Sequence, residues 1–402
     1  MSDNDTGNSS NRSNNENWCL IESDPAVFTE LIELFGCGDL MEVTELYSIE
    51  DDSMIQQSLR LIPDLPVDDD TSFDENINDL LQIDCYGLIF LFEYDSAIQR
   101  QHGEMMVTDD AVDMETSDDS SEASKSIFFA QQITNNACAT QAILSIIMNL
   151  IPNGTVKPTD LGSMLSDFYA FTQELPPYYK GMAITSSTQI RNAHNSFTNT
   201  NDTFMALNRF DQNKVVKGKG EAFHFVAYVP VNGTVYELDG LQRKPIVVGN
   251  LDEIDHDDNS NTTTGLITKY QWLSIARKAI QDRMAILGAD TGDVKFNLMA
   301  VTSNRGTSLR HICEACQENL QVPAAEANTQ IEPFYFAAVT EMQAQEQKHI
   351  QYKYENQRRR HNYYNLILNV FKELQRMNRL EKCIQSAKEK QQLKQNQPQM
   401  KK

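Results

Sequence analysis

The segment ACATQAILSIIMNLIPNG, residues 137–154, is apolar on nearly every face and closes on Pro152-Asn153-Gly154. A helix with one apolar stripe can lie on a surface, but a helix apolar all round must be covered on every side. This one therefore belongs at the centre of a domain. YGLIFLFEY, residues 86–94, adds a second constraint. It is a continuous apolar and aromatic run of strand length, which predicts a strand buried on both faces. VKFNLMAVTS at 294–303 predicts another strand. EAFHFVAYVPVNGTVYELDGL, residues 221–241, alternates on either side of Asn232-Gly233. Asn-Gly tolerates two successive positive φ values, as a tight hairpin turn requires, so two antiparallel strands are expected there.

Helices are legible from their ends. In SDPAVFTELIELFGCG, Asp24 can cap, Pro25 suits the first helical position and Gly36 suits the stop. Val27, Phe28, Leu31, Ile32 and Phe35 make one apolar stripe between them. YQWLSIARKAIQDRMAIL predicts an amphipathic helix further on.

Composition divides the 402 residues. Residues 1–16 read as a disordered polar tail, and folded character starts at Trp18. Three stretches read as inserted loops: the acidic, Pro-containing 51–82, the acidic 103–124 and the Asp/Asn/Thr-rich 248–265. A main domain of 17–303 results. Beyond it Gln, Glu, Lys and Arg dominate, predicting a helical linker at 304–345 and a basic helical module at 346–402. From Lys348 onward there are 14 Lys+Arg against 4 Asp+Glu, a local +10 within a net charge of −23, so the remainder carries −33. A basic tail on an acidic body points to a separate interaction module, and an acidic body suits a basic protein partner rather than nucleic acid. In that tail Leu366, Ile367, Val370, Phe371 and Leu374 share one helical face, a candidate partner-binding stripe. Arg358–Arg360 fits a solvated face or protein contact, with nuclear import or nucleic-acid contact as the rival.

Several classes are set aside. The polar N-terminus has no apolar core of a signal peptide, and no run of 18 apolar residues predicts a membrane span. Seven scattered cysteines, an odd number, fit reduced thiols of cytoplasm or nucleus. Cys313-x-x-Cys316 with His311 lacks the second ligand pair of a structural zinc site, and no phosphate-cradling glycine motif appears, so neither metal nor cofactor is expected.

Cys138 stands where a polar loop, QQITNNA, meets the buried helix. There a thiol meets unpaired N–H groups and the positive end of the helix dipole, both of which favour thiolate. The N–H of Cys138 and the side chain of Gln132 could donate to an oxyanion formed by attack on a carbonyl. A nucleophilic cysteine needs a base and something to orient that base. His224 and Asp239 sit on opposite arms of the hairpin, where antiparallel neighbours can meet. The bland alternative is a small buried Cys138 and a packed core His224.

These same stretches, FFAQQITNNACATQAILSI, EAFHFVAYVPVNGTVYELDGL and KFNLMAV, closely resemble the ubiquitin carboxyl-terminal hydrolases. WCLIESDPAVFTELIELFGCGDLMEVTELYSIE resembles their N-terminus, and RRRHNYYNLILNVFKELQRMNRLEKCIQSAKEKQ resembles the C-terminal extension of the family's proteasome-associated long member. The resemblance implies a papain-like α/β (α+β) fold with a knotted backbone, a central antiparallel sheet flanked by helices and an all-helical extension. It implies a crossover loop within 196–223. It implies a cysteine peptidase releasing ubiquitin, with Cys138 as nucleophile, His224 as base and acid, Asp239 as orienter and Gln132 as oxyanion donor. Ubiquitin conjugates and a proteasomal ubiquitin receptor are the implied partners. Two rivals stay open at this point: an interaction subunit of a proteasome or chromatin complex with weak or gated catalysis, and a cysteine acyltransferase unrelated to ubiquitin.

Overall fold

Six antiparallel strands run in the order β1-β6-β2-β3-β4-β5: β1 (Met41–Glu45), β2 (Cys85–Glu93), β3 (Phe223–Val231), β4 (Thr234–Leu238), β5 (Ile246–Asn250) and β6 (Phe296–Ser303). The computed structural model describes residues 18–49, 51–62, 82–93, 127–197, 223–251, 266–291, 296–320 and 325–396. The expected tail, the 103–124 loop and most of the 51–82, 196–223 and 248–265 segments lie outside them. The described residues divide into two compact units, up to Gln357 and from Arg358.

The sheet is buried on both faces because its strands alternate between two cores. On one side Ile89, Phe225, Ala227, Val229, Met299 and Val301 meet α1 (Pro25–Leu34) and α3 (Cys138–Asn149). On the other, Leu88, Phe90, Val226, Tyr228, Leu298 and Ala300 meet α7 (Leu266–Thr291), α8 (Arg305–Leu320) and α9 (Ala325–Arg360). This explains why β2 reads as a continuous apolar run. Each fully buried Leu, Ile or Phe contributes about 1.5–3 kcal/mol, so both layers are needed.

The local expectations hold where local chemistry decides. Asp24 accepts from the Ala26 N–H at 2.8 Å, Pro25 opens α1, and Gly36 takes φ 93° beyond it. Asn232 and Gly233 take φ 50° and 81° in the β3–β4 turn. In α3 every residue from Ala139 to Asn149 is buried. After α3 come α4 (Ser163–Thr172), α5 (Pro177–Ser186) and α6 (Thr188–Asn195).

Four expectations change. The 51–82 stretch does not start as a loop: Asp52–Ser58 forms α2, whose Ile55 is buried along with Leu59, Leu61 and Ile62. The Asp/Asn/Thr-rich stretch from 248 begins inside β5. The boundary at 345/346 is absent, because α9 runs through it. Within the first unit, polar contacts tie α9 to β1 and α1: Glu42 of β1, itself buried, pairs with Lys348 (3.5 Å) and His349 (3.4 Å), and Asn356 donates to the Ala26 carbonyl at 2.8 Å. Part of the positive charge assigned to a free module is thus spent on a buried glutamate. The described part of 304–345 is helical, as expected, but it does not act as a linker, since Leu309, Ile312, Cys313, Cys316, Phe334 and Ala338 belong to the second core.

In the second unit, α10 (Tyr364–Arg376) and α11 (Leu380–Asn396) join through Asn378, whose φ of 53° ends α10 as a left-handed cap.

Candidate active site

Cys138 is the first residue of α3 and is only partly buried, although it packs against the first core. Ala137 offers no side-chain cap, so the first-turn N–H groups keep their capacity for an oxygen arriving from outside. Asn136, at φ 65°, turns the chain into the helix and donates its amide to the Trp18 carbonyl at 3.1 Å. Asparagine is among the few residues that enter the left-handed region readily. One turn on, Thr140 bonds His194 Nδ1 at 2.7 Å, and His194 Nε2–H donates to the Cys19 carbonyl at 2.7 Å. Burial pushes the His194 imidazolium down to about 4, against a smaller raising effect of that carbonyl. A neutral ring therefore bridges α6, α3 and the N-terminal segment.

His224 and Asp239 come together as the hairpin predicts. The ladder pairs Ala227 with Leu238. Continued by one step, it sets Asp239 opposite Val226, a diagonal neighbour of His224 on the same face. His224 Nε2–H donates to Asp239 Oδ1 at 2.7 Å, and Oδ1 also accepts from the Leu241 N–H at 2.9 Å. Both side chains are buried. Burial, the largest influence, pushes the His224 imidazolium down. Hydrogen bonds to Asp239 and Cys138, with the charges of both, outweigh it and raise the group to about 9. Since Nε2 faces Asp239, Nδ1 is the nitrogen left for the Cys138 sulfur. Thiol, imidazole and carboxylate are thus linked by hydrogen bonds in that order.

Gln132 lies in the loop entering α3, and that loop is stitched down along its length. Asn149 holds Phe128 by two bonds, from the Phe128 N–H (2.8 Å) and to its carbonyl (2.9 Å). Gln141 donates to the Ala130 carbonyl. The Gln132 N–H donates to the Gly240 carbonyl at 2.8 Å, next to Asp239, and the Gln131 N–H donates to the Pro177 carbonyl at 3.0 Å. The Gln132 side chain folds over its own loop, with Nε2 donating to the Thr134 carbonyl at 3.1 Å. A Cβ on Gly240 would fall well inside 3.0 Å of Gln141 Nε2 and stand 3.0 Å from Gln132 Cβ, so a larger residue there would displace the Gln141 amide.

The stripe residues lie elsewhere, on α10. Leu366, Ile367, Val370 and Phe371 are exposed and Leu374 is partly so; no residue of α10 is buried. Cys313 and Cys316 pack into the second core, where burial raises both thiols. Sequence reasoning missed Gln141, Asn149, Gly240 and Arg283. The first two had a signal, being the two side-chain amides inside a largely apolar helix. Arg283 had none: it sits in an ordinary amphipathic pattern and is nevertheless buried.

A family model described as ubiquitin carboxyl-terminal hydrolase, family 1, matches residues 18–65 and 57–284, a span that includes Gln132, Cys138, His224 and Asp239. A second, described as ubiquitin carboxyl-terminal hydrolases, matches residues 337–380 and so reaches the α10 stripe. The chain is 33% identical over 406 aligned positions to ubiquitin carboxyl-terminal hydrolase isozyme L5 of Dictyostelium discoideum, covering 94% of this chain and 97% of the relative. It is 34% identical to ubiquitin carboxyl-terminal hydrolase 2 of Schizosaccharomyces pombe, covering 88% and 90%. Among solved structures it resembles Trichinella spiralis UCH37 bound to ubiquitin vinyl methyl ester, with a TM-score of 0.50, 28% identity and coverage of 83% of this chain and 99% of that one.

Proposed function

The chain belongs to the ubiquitin carboxyl-terminal hydrolase family 1, and from that premise we propose that Cys138, His224, Asp239 and Gln132 carry the chemistry of a thiol-dependent ubiquitin hydrolase. The observation that carries this reading is the continuous contact from Cys138 through His224 to Asp239 at the open start of a buried helix. The Cys138 thiolate attacks the carbonyl carbon of ubiquitin's C-terminal glycine. A carbon–sulfur bond forms and the carbonyl π electrons move to oxygen. The N–H groups of Cys138 and the Gln132 side chain hold that oxyanion. As the intermediate collapses, the amine leaves with the proton from His224 Nδ1, and a thioester remains. A water that gives its proton to His224 then displaces the sulfur. An imidazolium that persists to about pH 9 can serve as the acid throughout the neutral range.

The test is reaction of the full chain with ubiquitin carrying a C-terminal electrophile. Wild type should form one covalent adduct and Cys138→Ala none. Equal labelling of the two would overturn the assignment.

The α10 stripe supports a second, separate role. An exposed apolar face on a 13-residue helix is marginal alone and calls for a cover. We propose that a proteasomal ubiquitin receptor provides it, with Phe371 as an anchor and the cations from Lys372 to Lys382 as a charged rim. Phe371→Ala should then weaken receptor binding by about 2 kcal/mol, roughly 30-fold, while turnover of a small ubiquitin amide holds. Undiminished pull-down would end this reading. Cytoplasm and nucleus are the compartments we propose, in keeping with seven unpaired cysteines.

A further inference from the structure

Behind Asp239 lies a buried polar cluster that the mechanism above does not use. Arg283 reaches in from α7 and is only 2% exposed. Its Nη1 pairs with Glu237 Oε1, and its Nη2 stands 3.8 Å from Asp239 Oδ2. The guanidinium carbon lies 4.2 Å from the centre of the Phe92 ring. Phe92 in turn meets His224 edge-on, at 5.9 Å and 88°. Glu237 Oε2 accepts from the Tyr228 hydroxyl at 2.8 Å. One planar cation therefore stands beside both the carboxylate that accepts the imidazole hydrogen bond and the ring that abuts the imidazole.

We propose that Arg283 is a positioning residue for the hydrolysis, holding Asp239 and Phe92 so that the His224 ring stays aligned between carboxylate and thiol. This rests on the assignment of Cys138, His224 and Asp239 made above.

Two physical arguments support it. The first is charge. Glu237 lies near the end of β4 and Asp239 just beyond it; both are buried, and both carboxylates face the same guanidinium. Two carboxylates so placed without a cation would repel, and one would take up a proton. The Arg283–Glu237 pair is close to neutral as seen from His224, which leaves Asp239 as the net anion facing the imidazole. The second is orientation. The terminal torsion of an aspartate is broad and roughly two-fold. Oδ1 already serves His224 and the Leu241 N–H, and a cation on the Oδ2 side favours the rotamer that keeps it there. A tie between α7 and β4 alone would need only the Glu237 pair; it accounts for neither the second nitrogen nor the ring.

The experiment uses the full chain and a fluorogenic ubiquitin amide, followed from pH 6 to 10. The key variant is the double replacement Arg283→Met with Glu237→Gln, which removes both charges together and strands neither. Swaps of that kind are often neutral for stability. We expect a melting temperature near wild type, a kcat lower on the order of 100-fold, as for an ångström-scale misplacement, and little change in KM. The alkaline limb of kcat/KM should move to lower pH, since a less well held carboxylate stabilises the imidazolium less. The groups facing that imidazole are Cys138, Asp239 and, behind Asp239, Arg283 and Glu237. A folded double variant with wild-type kcat and an unmoved limb would reduce Arg283 to a structural tie. Should the double variant not fold, Arg283→Lys decides. Lysine keeps the charge but not the planar fork, so a folded lysine variant with wild-type kcat and limb overturns the proposal equally. Cys138→Ala runs alongside. Retained turnover there would overturn the underlying assignment, a result distinct from failure of the Arg283 claim alone.

Discussion

Gly181→Ala offers a direct test of how the oxyanion loop is positioned. Gly181 lies within α5, so helix propensity alone would favour alanine by about 1 kcal/mol. Packing opposes it. An added Cβ would fall well inside 3.0 Å of the Gln131 carbonyl oxygen, and would stand 3.0 Å from Gln131 C and from Ile133 Cγ1. The nearest obstacle is backbone, which cannot swing aside as a flexible side-chain tip can. To regain ordinary contact the carbonyl must retreat by an ångström or more, and Gln132 follows on the same strand of chain. Overpacking of this kind costs about 1–3 kcal/mol. Set against the propensity gain, the net stability loss is roughly 0–2 kcal/mol, and the protein still folds. Catalysis should suffer more, because misplacing a catalytic group by about 1 Å costs on the order of 100-fold, or roughly 2.7 kcal/mol of barrier. The assay is kcat and KM on a ubiquitin amide together with a thermal melt. The expected pattern is a large fall in kcat with modest changes in KM and melting temperature. A variant that melts higher and turns over normally would refute the reasoning, since helix propensity would then have won at a site argued to be sterically closed.

Asp239→Asn should keep the fold but lower kcat on the order of 100-fold or more, because the imidazolium loses its anionic partner; circular dichroism and kinetics on one sample check this, and unchanged turnover removes Asp239 from the site. Glu42→Gln leaves Arg305, Lys348 and His349 around a neutral amide, and breaking so buried a cluster costs about 3–5 kcal/mol; amide exchange along residues 345–357 should quicken, and unaltered exchange there contradicts the pinning of α9. The His194 imidazolium is depressed from 6.5 to about 4 by burial, so its stabilising effect is complete above about pH 6.5 and drains away as pH falls towards 4. Between pH 7 and 5 that is worth about 2 kcal/mol, so urea midpoints should fall more steeply with acid in wild type than in His194→Gln, and parallel curves would disprove the linkage.

What the chain reveals without its fold is whatever neighbouring residues decide among themselves. The capped start of α1 at Asp24-Pro25, the Asn232-Gly233 turn, the all-round apolar α3 and the thiol at its first turn depend on local torsion, periodicity and capping. His224 and Asp239 could be paired in advance because a two-residue hairpin leaves little freedom in register. Tertiary structure decided the rest, because those features are made by residues far apart in sequence. Arg283 reads as one more cation on an amphipathic helix until α7 lays it across β4, 46 positions from Glu237. Nothing near Glu42 in the sequence marks it for burial; its partner Lys348 lies 306 positions on, in α9. In the same way the acidic start at residue 51 became a helix once Ile55 had a core to enter, and a boundary drawn from composition at 346 dissolved into one continuous helix. Composition records which charges a segment carries; only packing determines whether water or another buried charge receives them, since the desolvation cost of an ion is met by partners that the linear pattern does not contain.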